Sequence, residues 1–98
     1  MNIKKTLENN TLTIAPEGRL DTITSPQLES ELRDGTEEIT ELIFDLADLV
    51  YISSAGLRVL LSAQKMMNKK GSMVLRNVKP EIMEIFEITG FSGILTIE

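Results

Sequence analysis

Runs suited to strands alternate with runs suited to helices along this chain, and that alternation constrains the fold more than any other feature. Strands separated by helices pair in parallel through right-handed crossovers. The first two runs, "NIKKTL" and "TLTIAP", place Ile3, Leu7, Leu12 and Ile14 in near alternation around the turn sequence "ENN", which predicts an antiparallel hairpin. "EGRLDTITSP" reads as a loop broken at Gly18. Thr24 or Ser25 can cap a helix whose first turn suits Pro26 and whose inner face carries Leu28 and Leu32. That helix is expected to run to about Arg33, with "DGTEE" ending it. The apolar run Leu42-Ile43-Phe44 fits a strand covered on both faces. A second helix is expected from Ser54 to about Lys70, stopped by Gly71. "SMVLRNV" is the next strand. Pro80 to Gly90 bound a third helix with Ile82, Ile85, Phe86 and Thr89 turned inward, and "GILTI" is a last strand. The expected order is β-β-α-β-α-β-α-β: one α/β domain over residues 1–98 with a mixed sheet.

Composition narrows the function. The 98 residues include no cysteine and no histidine, so thiolate chemistry and the commonest neutral-pH base and zinc ligand are absent. Net charge is −5, without a basic tract, which argues against nucleic acid and anionic lipid as partners. No apolar run approaches the roughly 20 residues of a membrane helix, and "MNIKKTLENN" lacks a signal-peptide core. A cytoplasmic interaction module is expected rather than an enzyme. Asp21, Asp45 and Asp48 form no recognisable catalytic pair by spacing, and there is no glycine-rich phosphate loop.

The joint between the central strand run and the second helix, "YISSAGL", is unusual. One helix cap needs one hydroxyl, and Ser53 and Ser54 supply two. Ala55 and Gly56 leave the first turn almost bare, although glycine inside a helix costs about 1 kcal/mol relative to alanine. A helix start carries free N–H groups and partial positive charge, which suit an anion or a phosphoserine. Ser54 as the cap, and Gly56 as a place where a partner's backbone comes close, are the expectations drawn from this pattern. Arg58, Ser62, Lys65 and Lys69 form a row on the helix. It reads either as a solvated face or as part of a docking surface. Met66, Met67, Met73 and Met83 read as core filling. Asp21 reads as a turn residue bonded to its own backbone, with a functional role only if its loop lies beside Ser54.

"DLADLVYISSAGLRVLL", preceded by "GRLDTITSPQL" and followed by "FEITGFSGIL", resembles the anti-sigma factor antagonist branch of the STAS family over nearly the whole chain. The resemblance implies that Ser54, three residues before Leu57, is a phosphoacceptor. It implies a partner anti-sigma factor that is also a serine kinase, bound by the unphosphorylated form, and a metal-dependent serine phosphatase that reverses the modification. ATP and magnesium would belong to those partners, and no cofactor to this chain. Asp21, Thr22, Ser53, Ala55, Gly56, Leu57 and Arg58 are the expected docking residues around Ser54. Two departures stand out. Ser53 occupies a position that is often aspartate in the family, and the chain ends at Glu98 without the further C-terminal helix of many relatives. The second departure suggests uncovered surface for a partner or a weak homodimer. Two functional readings follow: a phosphorylation-switched antagonist, favoured by the intact Ser54-Ala55-Gly56-Leu57, and a constitutive interaction module, favoured by Ser53.

Overall fold

A two-residue turn at Asn9 and Asn10 sets the first register of the sheet. Asn9 sits at φ +56°, a left-handed conformation that asparagine tolerates. It joins β1 (Asn2–Glu8) to β2 (Thr11–Leu20) as an antiparallel pair, with Glu8 opposite Thr11. The computed structural model describes residues 1–34 and 36–98. Gly35, within the "DGTEE" stretch expected to end the first helix, lies outside the described residues.

β2 does not stop where a loop was expected. Gly18, at φ +97°, makes a bulge rather than a break, and the strand continues to Leu20. The bulge lets β2 change partners. Its first half pairs in parallel with β3 (Glu41–Asp45), from Thr11 opposite Glu41 to Ile14 opposite Phe44. Its second half pairs in parallel with β4 (Leu49–Ile52), where Leu20 opposes Ile52. β4 was not anticipated. Leu46, Ala47 and Asp48 separate it from β3 by a turn, held by Leu49 N–H donating to Leu46 O at 3.1 Å and Ala47 N–H donating to the Asp45 carboxylate at 3.1 Å. Gly18 N–H donates to Asp48 O at 2.9 Å. The bulge in one strand thus matches the break in the other.

The crossovers are α1 (Ser25–Arg33), α2 (Ser54–Asn68) and α3 (Pro80–Thr89), and β5 (Ser72–Arg76) pairs in parallel with β3. The sheet order is β1-β2-β3-β5, with β4 beside β2. The expected last strand shrinks to one parallel bridge between Leu75 and Ile97. Phe91–Gly93 forms a 3-10 turn and Ile94 keeps helical backbone angles, so only the final residues extend. The α/β class and mixed sheet are as expected.

The sheet has one dry face. Leu12, Ile14, Leu42, Phe44, Met73 and Leu75 share it and are buried, in one cluster with Leu28, Leu60, Met67, Ile82 and Phe86 of the helices. The opposite face carries Thr6, Thr11, Thr13, Glu41, Val74 and Arg76, all half or fully exposed. β3 is therefore not sandwiched between two layers. Ile43 on its open side is shielded in register by Thr13 and Val74. Met67 and Met73 fill the core, while Met66 and Met83 pack at its margin. In α3, Thr89 is exposed rather than inward, and its hydroxyl donates to Ile85 O at 2.7 Å.

Gly90 ends α3 in the left-handed conformation, φ +82°. Gly71 ends α2 differently. Its φ is not positive, and a Cβ there would lie 1.8 Å from Thr40 O. Close approach, rather than a left-handed turn, demands glycine at that position. Among the described residues no helix is long and apolar enough to cross a membrane.

Candidate functional site

The parallel ends of β2 and β4 bring two loops side by side. Ser53 N–H donates to Leu20 O at 2.9 Å, which ties the start of α2 to the entrance of the Asp21 loop. Functional loops of open α/β sheets gather at such carboxyl ends. The proximity on which a role for Asp21 depended is therefore present.

Asp21 organises its own turn. One carboxylate oxygen accepts from the backbone N–H of Ile23 and of Thr24, both at 3.0 Å. The Thr24 hydroxyl accepts from Asp21 N–H at 2.9 Å and donates to Arg19 O at 2.7 Å. Thr24 precedes α1 as its cap residue, yet its side chain serves this turn and makes no bond to the helix. These contacts, led by the Thr24 N–H, hold the Asp21 carboxyl below its usual range despite opposing desolvation. The second oxygen lies 3.8 Å from Arg19 Nε. Arg19 in turn lies over the ring of its cross-strand neighbour Tyr51, 4.1 Å from the centroid.

At the start of α2 the two serines divide the work. Ser53 is the cap: its backbone is extended and its hydroxyl accepts from Gly56 N–H at 3.5 Å. Ser54, expected as the cap, is instead the first helical residue. It is exposed, and its hydroxyl takes no hydrogen bond among the described residues. A side chain at this position stands beside helix N–H groups that have no intrahelical acceptor.

The other expected site residues fall into layers. Thr22 and Arg58 are exposed, Asp21, Ser53 and Ala55 half-buried, and Gly56 and Leu57 buried. A Cβ on Gly56 would lie 2.8 Å from Leu20 Cγ and 2.8 Å from Ile52 Cγ1. Gly56 is bare because α2 presses on the ends of β2 and β4, which corrects the expectation that it admits a partner's backbone. Arg58, Ser62, Lys65 and Lys69 are all exposed, in one row.

A shallow hollow runs between the starts of α1 and α2, lined by Thr22, Ser25, Glu29, Ala55, Arg58 and Ser62. Sequence reasoning passed over Ile23, which is 86% exposed at the tip of the Asp21 loop. The available signal was an isoleucine set between two threonines in an otherwise polar loop. Among the described residues no group of His, Cys, Asp or Glu is placed to hold a metal ion. The arrangement offers one exposed, unengaged hydroxyl on a capped helix start, flanked by a hydrogen-bonded carboxylate loop and a cation. It can accept a group delivered by another molecule and can present a changed surface afterwards.

A family model described as STAS domain matches residues 2–98. The chain is 40% identical over 83 residues to the candidate anti-sigma factor antagonist BtrV of Bordetella bronchiseptica, covering 83% of this chain and 72% of that protein. It is 30% identical over 98 residues to the anti-sigma-B factor antagonist of Bacillus subtilis, covering 99% of this chain and 90% of that protein. Among solved structures it resembles the anti-sigma factor antagonist SpoIIAA in its unphosphorylated form, with a TM-score of 0.78 at 18% identity over 99% of this chain and 87% of that one. Bacillus SpoIIAA in the phosphorylated form superposes with a TM-score of 0.77, again at 18% identity, over 99% and 91%. These likenesses to solved structures speak for the fold alone.

Proposed function

The chain belongs to the STAS domain family, and from that premise we propose that it is an anti-sigma factor antagonist, a regulatory binding protein rather than an enzyme. In its unphosphorylated form it binds a cytoplasmic anti-sigma factor that is also a serine kinase, which frees the sigma factor for transcription. The kinase then transfers a phosphoryl group to Ser54. The Ser54 oxygen bonds to the γ-phosphorus of ATP, the bond from that phosphorus to the ADP oxygen breaks, and the hydroxyl proton passes to the kinase. A metal-dependent serine phosphatase returns the hydroxyl by transferring the phosphoryl group to water.

The observation that carries this reading is the exposure of Ser54 on a helix start already capped by Ser53. Modification then adds about −1.5 to −2 charges at the surface without removing a bond on which the fold depends. Around it, Asp21, Thr22, Ala55 and Arg58 supply the docking face, and Gly56 and Leu57 support it from beneath. A dianion at the centre of that face would have to be stripped of water on docking, which opposes association.

Ser53 favours the second reading, a constitutive interaction module that is never phosphorylated. Serine and aspartate are comparable helix caps, so this departure keeps the helix start and removes only a charge beside Ser54.

Ser54→Asp separates the two readings. An acidic residue in the first turn suits the helix dipole, so thermal stability should be retained. Affinity for the anti-sigma kinase of the same organism should fall at least about tenfold, roughly 1.4 kcal/mol, measured by titration calorimetry. Unchanged affinity would favour the constitutive module.

A further inference from the structure

Arg58 lies four residues beyond Ser54 on α2, so the two side chains share one face of the helix a single turn apart. Both are exposed. Five ion pairs join charged side chains among the described residues, and Arg58 is in none of them. The one carboxylate lining the hollow beside it, Glu29, is engaged by Arg33 at 2.6 Å. A second observation points the same way. Ser25 lines the same hollow and is 4% exposed, and its hydroxyl has no hydrogen-bond partner among the described residues. The hollow between the starts of α1 and α2 therefore holds a cation outside the ion pairs of the described residues and a buried hydroxyl without a partner among them.

A phosphoryl group on Ser54 would bring a charged acceptor within one helical turn of that cation. An acidic group four residues before a cation is the favourable orientation on a helix, and a guanidinium can meet a phosphate through two parallel N–H···O bonds. We infer that Arg58 is the latch for phosphorylated Ser54, drawing the phosphoryl group against the first turn of α2. This rests on the proposed phosphorylation of Ser54 and adds a consequence to it. In the unmodified protein Arg58 is free to meet a carboxylate of the partner. Phosphorylation then changes the docking face twice: it adds a dianion, and it withdraws the cation that the face presented.

The latch is tested without a kinase. Phosphoserine is placed at position 54 by co-translational incorporation, and its second ionisation is followed by phosphorus NMR in the wild-type background and in Arg58→Gln and Arg58→Ala. The helix start acts on all three proteins alike, so differences between them report Arg58. Glutamine and alanine are both good helix formers and Arg58 is exposed, so the fold should hold, as circular dichroism would show. A latched phosphate favours its dianion, so the midpoint should rise by roughly half a pH unit in both variants. Midpoints equal to wild type in both would overturn the latch. Whether Ser54 is the natural acceptor is answered separately by mapping the phosphate on the native protein, so either claim can fail alone.

Discussion

Gly71→Ala is expected to cost about 3 kcal/mol or more, a large part of the stability of a domain of this size. A Cβ at this position would lie 1.8 Å from Thr40 O and 2.6 Å from Thr40 C. Both are backbone atoms and cannot rotate away. The carbonyl is also engaged, since it accepts from Ser72 N–H at 3.0 Å where the chain enters β5. Relief therefore requires moving the end of α2 or the entrance to β3, and β3 is the central strand that β2 and β5 flank. Chemical denaturation should show a much lower midpoint with an unchanged slope. Wild-type stability in Gly71→Ala would mean that the segment after α2 runs clear of Thr40.

Gly56→Ala is the second large effect, and its sign separates two accounts of the same residue. Helix propensity alone predicts a gain of about 1 kcal/mol. The structure predicts a net loss of roughly 1–2 kcal/mol, because the new methyl group would lie 2.8 Å from Leu20 Cγ and from Ile52 Cγ1. Those atoms sit near the base of side chains that are 0% and 2% exposed, so they have little room to give. The same shift would disturb the Ser53-to-Leu20 backbone bond that holds the two loops together. Partner affinity should thus fall along with stability. A gain in stability, read by the same denaturation, would restore the view that Gly56 is bare for a partner's benefit.

These two glycines also mark where the sequence could be read and where it could not. Periodicity and breakers located all three helices to within a few residues, because Leu28 and Leu32, Leu57 and Leu60, and Ile82 and Phe86 keep helical spacing between recognisable ends. The hairpin was legible for the same reason. β4 was not, since Leu49–Ile52 is four residues long with only its two ends buried, a pattern that alternation does not produce. The continuation of β2 was hidden by Gly18, which looks like a breaker locally and becomes a bulge only because a strand waits on its far side to pair. The role of Gly71 was also invisible. A glycine after a helix signals a left-handed turn, whereas here a carbonyl from a distant strand entrance fills the space.

For the candidate site, the two-serine joint was conspicuous in sequence, but which serine caps depends on one backbone conformation. Ser53 is extended at φ −99° and ψ 176° and takes the cap, leaving Ser54 outside. Asp21 followed its ordinary turn chemistry. Its nearness to the serines came from the parallel register of β2 and β4, which joins residues about thirty positions apart.

A switch carried by Ser54 must leave its mark on the protein inside the cell. The most direct test is to purify the protein from its own cells across growth and stress conditions and map phosphate by mass spectrometry on the peptide spanning Tyr51 to Arg58. Two populations of that peptide are expected, unmodified and phosphorylated on Ser54, in a ratio that changes with conditions. Phosphate on Ser53 alone, or an unmodified peptide in every condition, would contradict it.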